Sequence, residues 1–198
     1  MEESLKRLNL TRVDITYIHD PDDYADEAIN SAYPELAKMQ QEGIITATGV
    51  GMNQCEIPTR FVNETDINVV LIAGRYTLLD QSAARELFPA ALRRNVSIVI
   101  GGVYNSGILA NPVKGTTYNY ATAPKELIER AIKIKDFLAK WNIPLTAAAI
   151  QFPLRHSAVT SILTGSRSVS ELKANIRDFN LEIPDACWME LEQNYFLP

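Results

Sequence analysis

The sequence predicts an α/β protein built on a parallel sheet, and three observations lead there. Five short runs rich in valine and isoleucine, at 13–18, 45–50, 68–72, 96–100 and 159–163, are flanked by polar residues or glycine, the pattern of strands buried on both faces. Between them the apolar period becomes that of a helix. No linker or low-complexity tract breaks the alternation. Such an order requires a parallel sheet with right-handed crossovers, and both an open doubly wound sheet and a (β/α)8 barrel satisfy it.

The first run ends on His19-Asp20-Pro21. A helix over about 24–42 then sets Ala25, Ala28, Ile29, Ala32, Leu36 and Met39 on one side; Pro34 interrupts it and starts a second segment, and Gly43 ends it. The second run leads into Gly51-Met52-Asn53-Gln54 and the third into Gly74-Arg75-Tyr76. A helix over about 80–94 contains Pro89, and the fourth strand delivers Gly101-Gly102-Val103-Tyr104-Asn105. The helix at 125–141 carries the stripe Leu127, Ala131, Ile134, Leu138 and Trp141, and Asn142-Ile143-Pro144 stops it. A short helix fits 145–155. After the fifth strand come Thr164-Gly165-Ser166-Arg167 and the capping box Ser168 to Glu171, whose helix is expected to bury Leu172, Ile176 and Phe179. A last helix near 185–194 carries Trp188 and Leu191.

The 198 residues suit one domain, 1–198, with a sizeable core. A hydrophobic share of 46% and a charged share of 22% are ordinary for a soluble globular chain. The net charge of -5, with no basic run, argues against nucleic acid or an anionic membrane surface as partner. The two cysteines, Cys55 and Cys187, have no metal spacing and point to a reducing compartment. The opening MEESLKRLNL lacks the apolar core of a signal peptide, and no apolar run approaches the ~20 residues of a membrane span. A cytoplasmic protein is expected.

In either architecture the ligand site lies at the C-terminal ends of the strands. The dinucleotide fingerprint G-x-G-x-x-G is absent; Gly49-Val50-Gly51-Met52-Asn53 lacks its third glycine. The Gly-Ser-Arg-Ser turn at 165–168 offers backbone N–H groups and Arg167 to a phosphate, or is simply a capped helix start. His19 is either a polar strand end or an imidazole that polarises a carbonyl, and Asp20 beside it reads as a turn residue. Tyr76 either stacks on a flat ring or closes the core. Asn53 binds a carboxamide or caps the following helix. His156, away from any strand end, reads as a surface or core residue, and Tyr118 and Tyr120 lie in a long loop of the kind that shapes a pocket. No catalytic triad, metal-ligand cluster or P-loop spacing is present.

Five segments in order, SLKRLNLTRVDITYIHDPDD, GVGMNQ, LIAGRYTLLDQSA, GGVYNSGILA and TGSRSVSELKANI, resemble the aldo-keto reductase family. They are most similar to its aldose dehydrogenase branch, which takes in D-threo-aldose, L-fucose and pyridoxal 4-dehydrogenases. The resemblance implies a (β/α)8 barrel that binds NAD or NADP across its strand ends and moves a hydride between nicotinamide and a sugar hemiacetal or carbonyl carbon. It implies His19 as the substrate-orienting histidine and Asn53, one residue out of register, as the carboxamide ligand. It places Gly165, Ser166, Arg167, Glu171 and Asn175 at the adenosine end of the cofactor, with Tyr76 and Tyr104 toward substrate.

The departures are also informative. Ala73 stands for the family glutamine, Gly101 for its stacking tyrosine and Gly165 for the lysine that meets a 2′-phosphate. The segments correspond to five of eight βα units, an incomplete barrel without the tyrosine, lysine and aspartate of the catalytic tetrad. The resemblance therefore implies an oxidoreductase of aldoses or aldehydes with impaired catalysis. The alternative is a non-catalytic truncated paralogue that binds nucleotide or pairs with another chain through its open sheet edges. An unfilled interior is expected to leave Val13, Ile15 and the apolar residues of 96–100 poorly covered.

Overall fold

All five predicted strands form in the computed structural model, which describes residues 1–119 and 121–195. They are β1 (Ile15–His19), β2 (Ala47–Met52), β3 (Val69–Ala73), β4 (Ser97–Gly101) and β7 (Val159–Leu163), hydrogen-bonded in chain order. A separate two-stranded ribbon joins β5 (Thr117–Tyr118) to β6 (Ala121–Thr122). Four of the five main strands start one or two residues later than predicted. Ile45 and Val96 are buried before pairing begins, while the ladders run on through His19, Met52 and Gly101. Apolar burial and backbone pairing thus start at different residues.

The chain forms two compact units: Met1–Ala73 with Ala83–Val99, and Gly74–Ser82 with Ile100–Pro198. The first unit contains α1 (Glu2–Leu8), α2 (Ala25–Glu27), α3 (Tyr33–Gln41), α4 (Glu56–Glu64) and α5 (Leu87–Arg94). From α2 to α3 the backbone stays helical through a π turn at Ala28–Ala32. Pro34 sits in the first turn of α3, and the wide turn before it absorbs the missing N–H. Ala28 and Ile29 are buried as predicted, but Ala32 is exposed. Gly43 follows with φ 73°, donating its N–H to Gln40 O. Pro89 also lies in a first turn, that of α5, where no intrahelical bond is lost.

The strand registers of this unit decide what can stand beside His19. β1, β2 and β3 run parallel, with Tyr17 opposite Gly49 and Gly49 opposite Val69, then His19 opposite Gly51 and Gly51 opposite Leu71. Partners in these rows share one face. A Cβ at Gly49 would lie 2.4 Å from the Val69 carbonyl oxygen, so only glycine fits. On the other face Val50, Val70 and Ile72 are fully buried, as are Phe61 of α4 and Phe88 of α5. The outer strands differ from the inner ones: Ile15 of β1 is 46% exposed and Leu163 of β7 55%. Of the residues expected to be poorly covered, Val96, Ile98 and Ile100 are buried core residues, whereas Val13 and Val99 are only half-buried.

The second unit contains α6 (Lys125–Ala139), α7 (Leu145–Gln151), α8 (Val169–Phe179) and α9 (Asp185–Tyr195). The α6 stripe behaves as predicted: Ala131, Ile134 and Leu138 are fully buried, and Asn142 ends the segment at φ 58°. The α8 stripe does not. Leu172, Ile176 and Phe179 are 49%, 55% and 42% exposed, and the buried residue of the helix is Asp178. Hydrogen bonding sets this orientation. The Asp178 carboxylate accepts a 2.5 Å bond from the Thr146 hydroxyl of α7, and the Gln151 amide donates to the carbonyls of Asp178 and Leu181. A buried carboxylate needs such donors, so α8 turns its polar face to α7. Among the described residues no helix is long and apolar enough to cross a membrane.

Candidate functional site

The loop after β7 builds one wall of a cavity of about 750 Å³ in the second unit. Ser168 caps α8 in extended conformation, and its hydroxyl accepts the Glu171 N–H at 3.2 Å. The reciprocal arm of the box differs from the prediction. Glu171 reaches one residue further back, accepting the Arg167 backbone N–H at 2.7 Å and its guanidinium at 3.2 Å. The backbone bond, with the Arg167 charge behind it, holds the Glu171 carboxyl below the usual carboxylate range. Of the donors that the turn at 165–168 offered to a phosphate, the Arg167 backbone N–H and one N–H of its guanidinium are engaged by this carboxylate.

Glu171, Ala174, Asn175 and Asp178 follow i, i+3, i+4, i+7 spacing and line the cavity together. Asn175 donates to the Ser166 hydroxyl at 3.1 Å and accepts from the Tyr104 hydroxyl at 2.9 Å. Tyr104 thus stands with the residues expected at the adenosine end rather than with a separate substrate group. Burial, reinforced by the Asp178 carboxylate, pushes its pKa up to about 12, so it remains a neutral donor. Ser106 and Gly107, at φ 58° and 99°, complete the opposite wall. Just before them, the buried Asn105 donates to Gly74 O at 3.2 Å and leaves its own Oδ1 without a hydrogen-bond partner.

In the first unit, His19 is the last residue of β1. Its side chain is 76% exposed, with Nε2 3.6 Å from Asp20 Oδ2. A Cβ at Gly51 would meet the His19 ring at 3.6 Å, so this glycine leaves the space beside the imidazole open. Asp20 adopts φ 46° and donates its N–H to Gly51 O, the turn role expected of it. Asn53 is half-buried just past β2. Next to it, the Gln54 side chain accepts the Ile57 N–H at 3.1 Å at the start of α4.

Tyr76 is buried, stacked on Phe152 at 5.0 Å and met edge-on by His156 at 5.5 Å. Of its two readings, core closure fits this geometry, because protein covers the ring. The same contacts make His156 a half-buried packing residue whose pKa burial lowers. Tyr118 donates to Asp80 at 3.2 Å, which ties the long loop down; Tyr120 lies outside the described residues. Sequence reasoning missed Asp80 and Asp178. Only Asp178 had a signal, its spacing from Glu171 and Asn175.

Residues 1–195 match the aldo/keto reductase family over nearly the whole chain. The chain belongs to the aldo/keto reductase family. It is 40% identical over 199 residues to a D-threo-aldose 1-dehydrogenase of a Pseudomonas species, a match covering 99% of this chain and 60% of that protein. It is 38% identical over 201 residues to the pyridoxal 4-dehydrogenase of Microbacterium luteolum, covering 96% of this chain and 59% of that protein. The chain thus spans about six-tenths of the length of these relatives. The holo form of an aldo-keto reductase from Bacillus halodurans superposes with a TM-score of 0.77 at 23% identity, covering 97% of this chain and 64% of that one. A glycerol dehydrogenase from Gluconobacter oxydans gives 0.70 at 20% identity, covering 97% and 61%. The five strands and their helices are thus βα units of the aldo-keto reductase barrel.

Proposed function

We propose that this chain carries the nucleotide-holding and substrate-orienting part of an NAD(P)-dependent oxidoreductase that oxidises an aldose at C1 or reduces a small carbonyl. The observation that carries the reading is the hydrogen-bonded series Tyr104–Asn175–Ser166 along the cavity after β7. At about 750 Å³ the cavity has the size of a small-molecule site, and convergent polar groups line it. These residues suit a ribose and its neighbouring polar groups better than an apolar ligand. Asn53, half-buried at the end of β2, is the amide assigned to the carboxamide. The nicotinamide, when bound, supplies the hydride acceptor or donor. Tyr104 and Ser166 hold their partner Asn175 in one orientation. His19 presents an exposed imidazole to hydrogen-bond a substrate oxygen.

We read turnover by these 198 residues as impaired. They include His19, but no strand lysine to tune a tyrosine acid/base, and the role of that base is worth about 10²–10⁴ in rate. The second reading, a non-catalytic chain that binds nucleotide or pairs with another, is favoured in its pairing form by the exposed Ile15 and Leu163 on the outer strands. A cytoplasmic location belongs to the same proposal, and a small sugar or aldehyde is the ligand of the first reading.

Fluorescence titration of the chain with NAD+ and NADP+, its mass in solution, and assays with L-fucose and D-arabinose test the proposal. Nucleotide binding without measurable turnover is the expected result. Turnover at ordinary dehydrogenase rates overturns the impairment, and failure to bind either nucleotide overturns the site.

A further inference from the structure

β1 stands at one end of the sheet order, with β2 as its neighbour. The Asp14 carbonyl accepts from Thr46 and Ala47, and the Asp20 N–H donates to Gly51 O. In a parallel ladder alternate residues bond the same neighbour, so the even-numbered residues of β1 turn their backbone groups toward β2. The N–H and C=O groups of Ile15, Tyr17 and His19 therefore point away from β2. A free edge of this kind, with Ile15 46% exposed, is a template for another strand. A groove of about 310 Å³ lies against it, lined by Val13, Ile15 and Thr16, by Leu8 of α1 and by Leu36 and Met39 of α3. The Thr16 hydroxyl is buried and has no hydrogen-bond partner among the described residues.

Resting on the pairing reading above, we propose that two copies of this chain associate through this edge, β1 antiparallel to β1, with Thr16 of each copy opposite Thr16 of the other. A two-fold axis normal to the sheet makes the strands antiparallel and keeps each face continuous, and such self-complementary pairing closes as a dimer. Outward-pointing backbone groups must meet outward-pointing ones, so Ile15 stands opposite an odd-numbered residue. Opposite Tyr17 of the second copy, each such pair exchanges both backbone bonds. The alternative register, Tyr17 opposite Tyr17, also satisfies this rule, but it sets Asp14 against Asp20 of the second copy and Thr16 against Ile18. Like charges directly opposite are unfavourable. In the proposed register Arg12 approaches Asp20 of the second copy instead. Thr16 meets its twin, and threonine pairs across strands hydrogen-bond, which gives the orphaned hydroxyl a partner. Val13 shares the face of His19 by strand alternation. It therefore comes beside His19 of the second copy, so each chain supplies part of the surroundings of the other's imidazole.

Sedimentation velocity of the 198-residue chain over a range of concentrations is expected to show a dimer. Ile15→Pro removes an N–H that points away from β2, so it spares the ladder with β2 and is expected to weaken the dimer at least about tenfold. Leu163→Lys, on the other outer strand, is expected to leave the dimer unchanged. Under mild oxidation Thr16→Cys is expected to cross-link the dimer. Ile18→Cys and the unaltered chain, which carries Cys55 and Cys187, are expected not to. Circular dichroism verifies that the variants are folded, and the cross-linking decides by itself if Ile15→Pro is not. A dimer kept in Ile15→Pro and lost in Leu163→Lys overturns this inference and leaves the pairing reading standing. A dimer that Thr16→Cys does not cross-link, or that Ile18→Cys cross-links equally, overturns the proposed pairing of Thr16 with its twin. A monomer at every concentration overturns the pairing reading, and the inference with it, and leaves the nucleotide reading standing.

Discussion

Two arginine–carboxylate pairs of the second unit have almost the same separation and opposite surroundings. Arg75 meets Asp80 at 3.1 Å after β3, with side chains only 21% and 16% exposed. Arg167 meets Glu171 at 3.2 Å after β7, with side chains 93% and 42% exposed. Asp80 also accepts from the Ser82 backbone N–H and hydroxyl and from Tyr118. Among the described residues, the Glu171 carboxylate accepts from Arg167 alone. Distance alone therefore says little about what an ion pair does. Burial and the number of other donors separate a carboxylate that closes a loop from one still open to a ligand.

The largest effect that would break this contrast lies at Asp80. Asp80→Ala removes the acceptor shared by the Arg75 guanidinium, the Ser82 amide and hydroxyl and the Tyr118 hydroxyl in a half-buried setting. It is expected to destabilise the fold by about 3 kcal/mol in urea unfolding. A loss under ~1 kcal/mol would put Asp80 in the same class as a surface pair.

Next in size is an acid-limb difference. Burial raises the Asp80 pKa, but the bonds from Ser82 and the charge of Arg75 outweigh it, and the net shift is downward. A carboxyl whose folded pKa lies below its unfolded value stabilises the protein above the unfolded value. That contribution is lost as pH falls through the folded value. Stability should therefore decline below about pH 4, the unfolded aspartate range, and Asp80→Asn should flatten that decline. An equally steep acid limb in Asp80→Asn would assign it to other carboxylates.

The same contrast explains how much could be read from the residues. Strand order, the α6 core stripe and the Gly43 stop follow from period and turn chemistry, which are local. The α8 stripe was equally regular, yet Leu172, Ile176 and Phe179 are exposed. Period identifies an apolar face but not what covers it, and here the need of Asp178 for donors on α7 set the rotation. Ser166 and Asn175 are hydrogen-bonded along the cavity. Tyr76 could not be decided from sequence, because its fate depends on Phe152 and His156, far along the chain. The box at 168–171 was legible, but the carboxylate's choice of Arg167 over Ser168 is a side-chain preference that spacing does not encode.

The smallest expected effect sharpens the comparison most. Glu171→Gln and Arg167→Ala each break a pair that water already screens, and measured surface pairs are worth little on average. The Arg167 backbone N–H keeps an acceptor in Glu171→Gln, and the Ser168 hydroxyl still caps α8 in both variants. Neither should change the melting temperature measurably, whereas Asp80→Ala should lower it by several degrees. Glu171→Gln is the informative case, because a silent melting curve combined with altered nucleotide binding separates a ligand role from folding at one residue. A melting loss comparable to that of Asp80→Ala would mean that the loop after β7 depends on its ion pair as the loop after β3 does, and the distinction between the two pairs would fail.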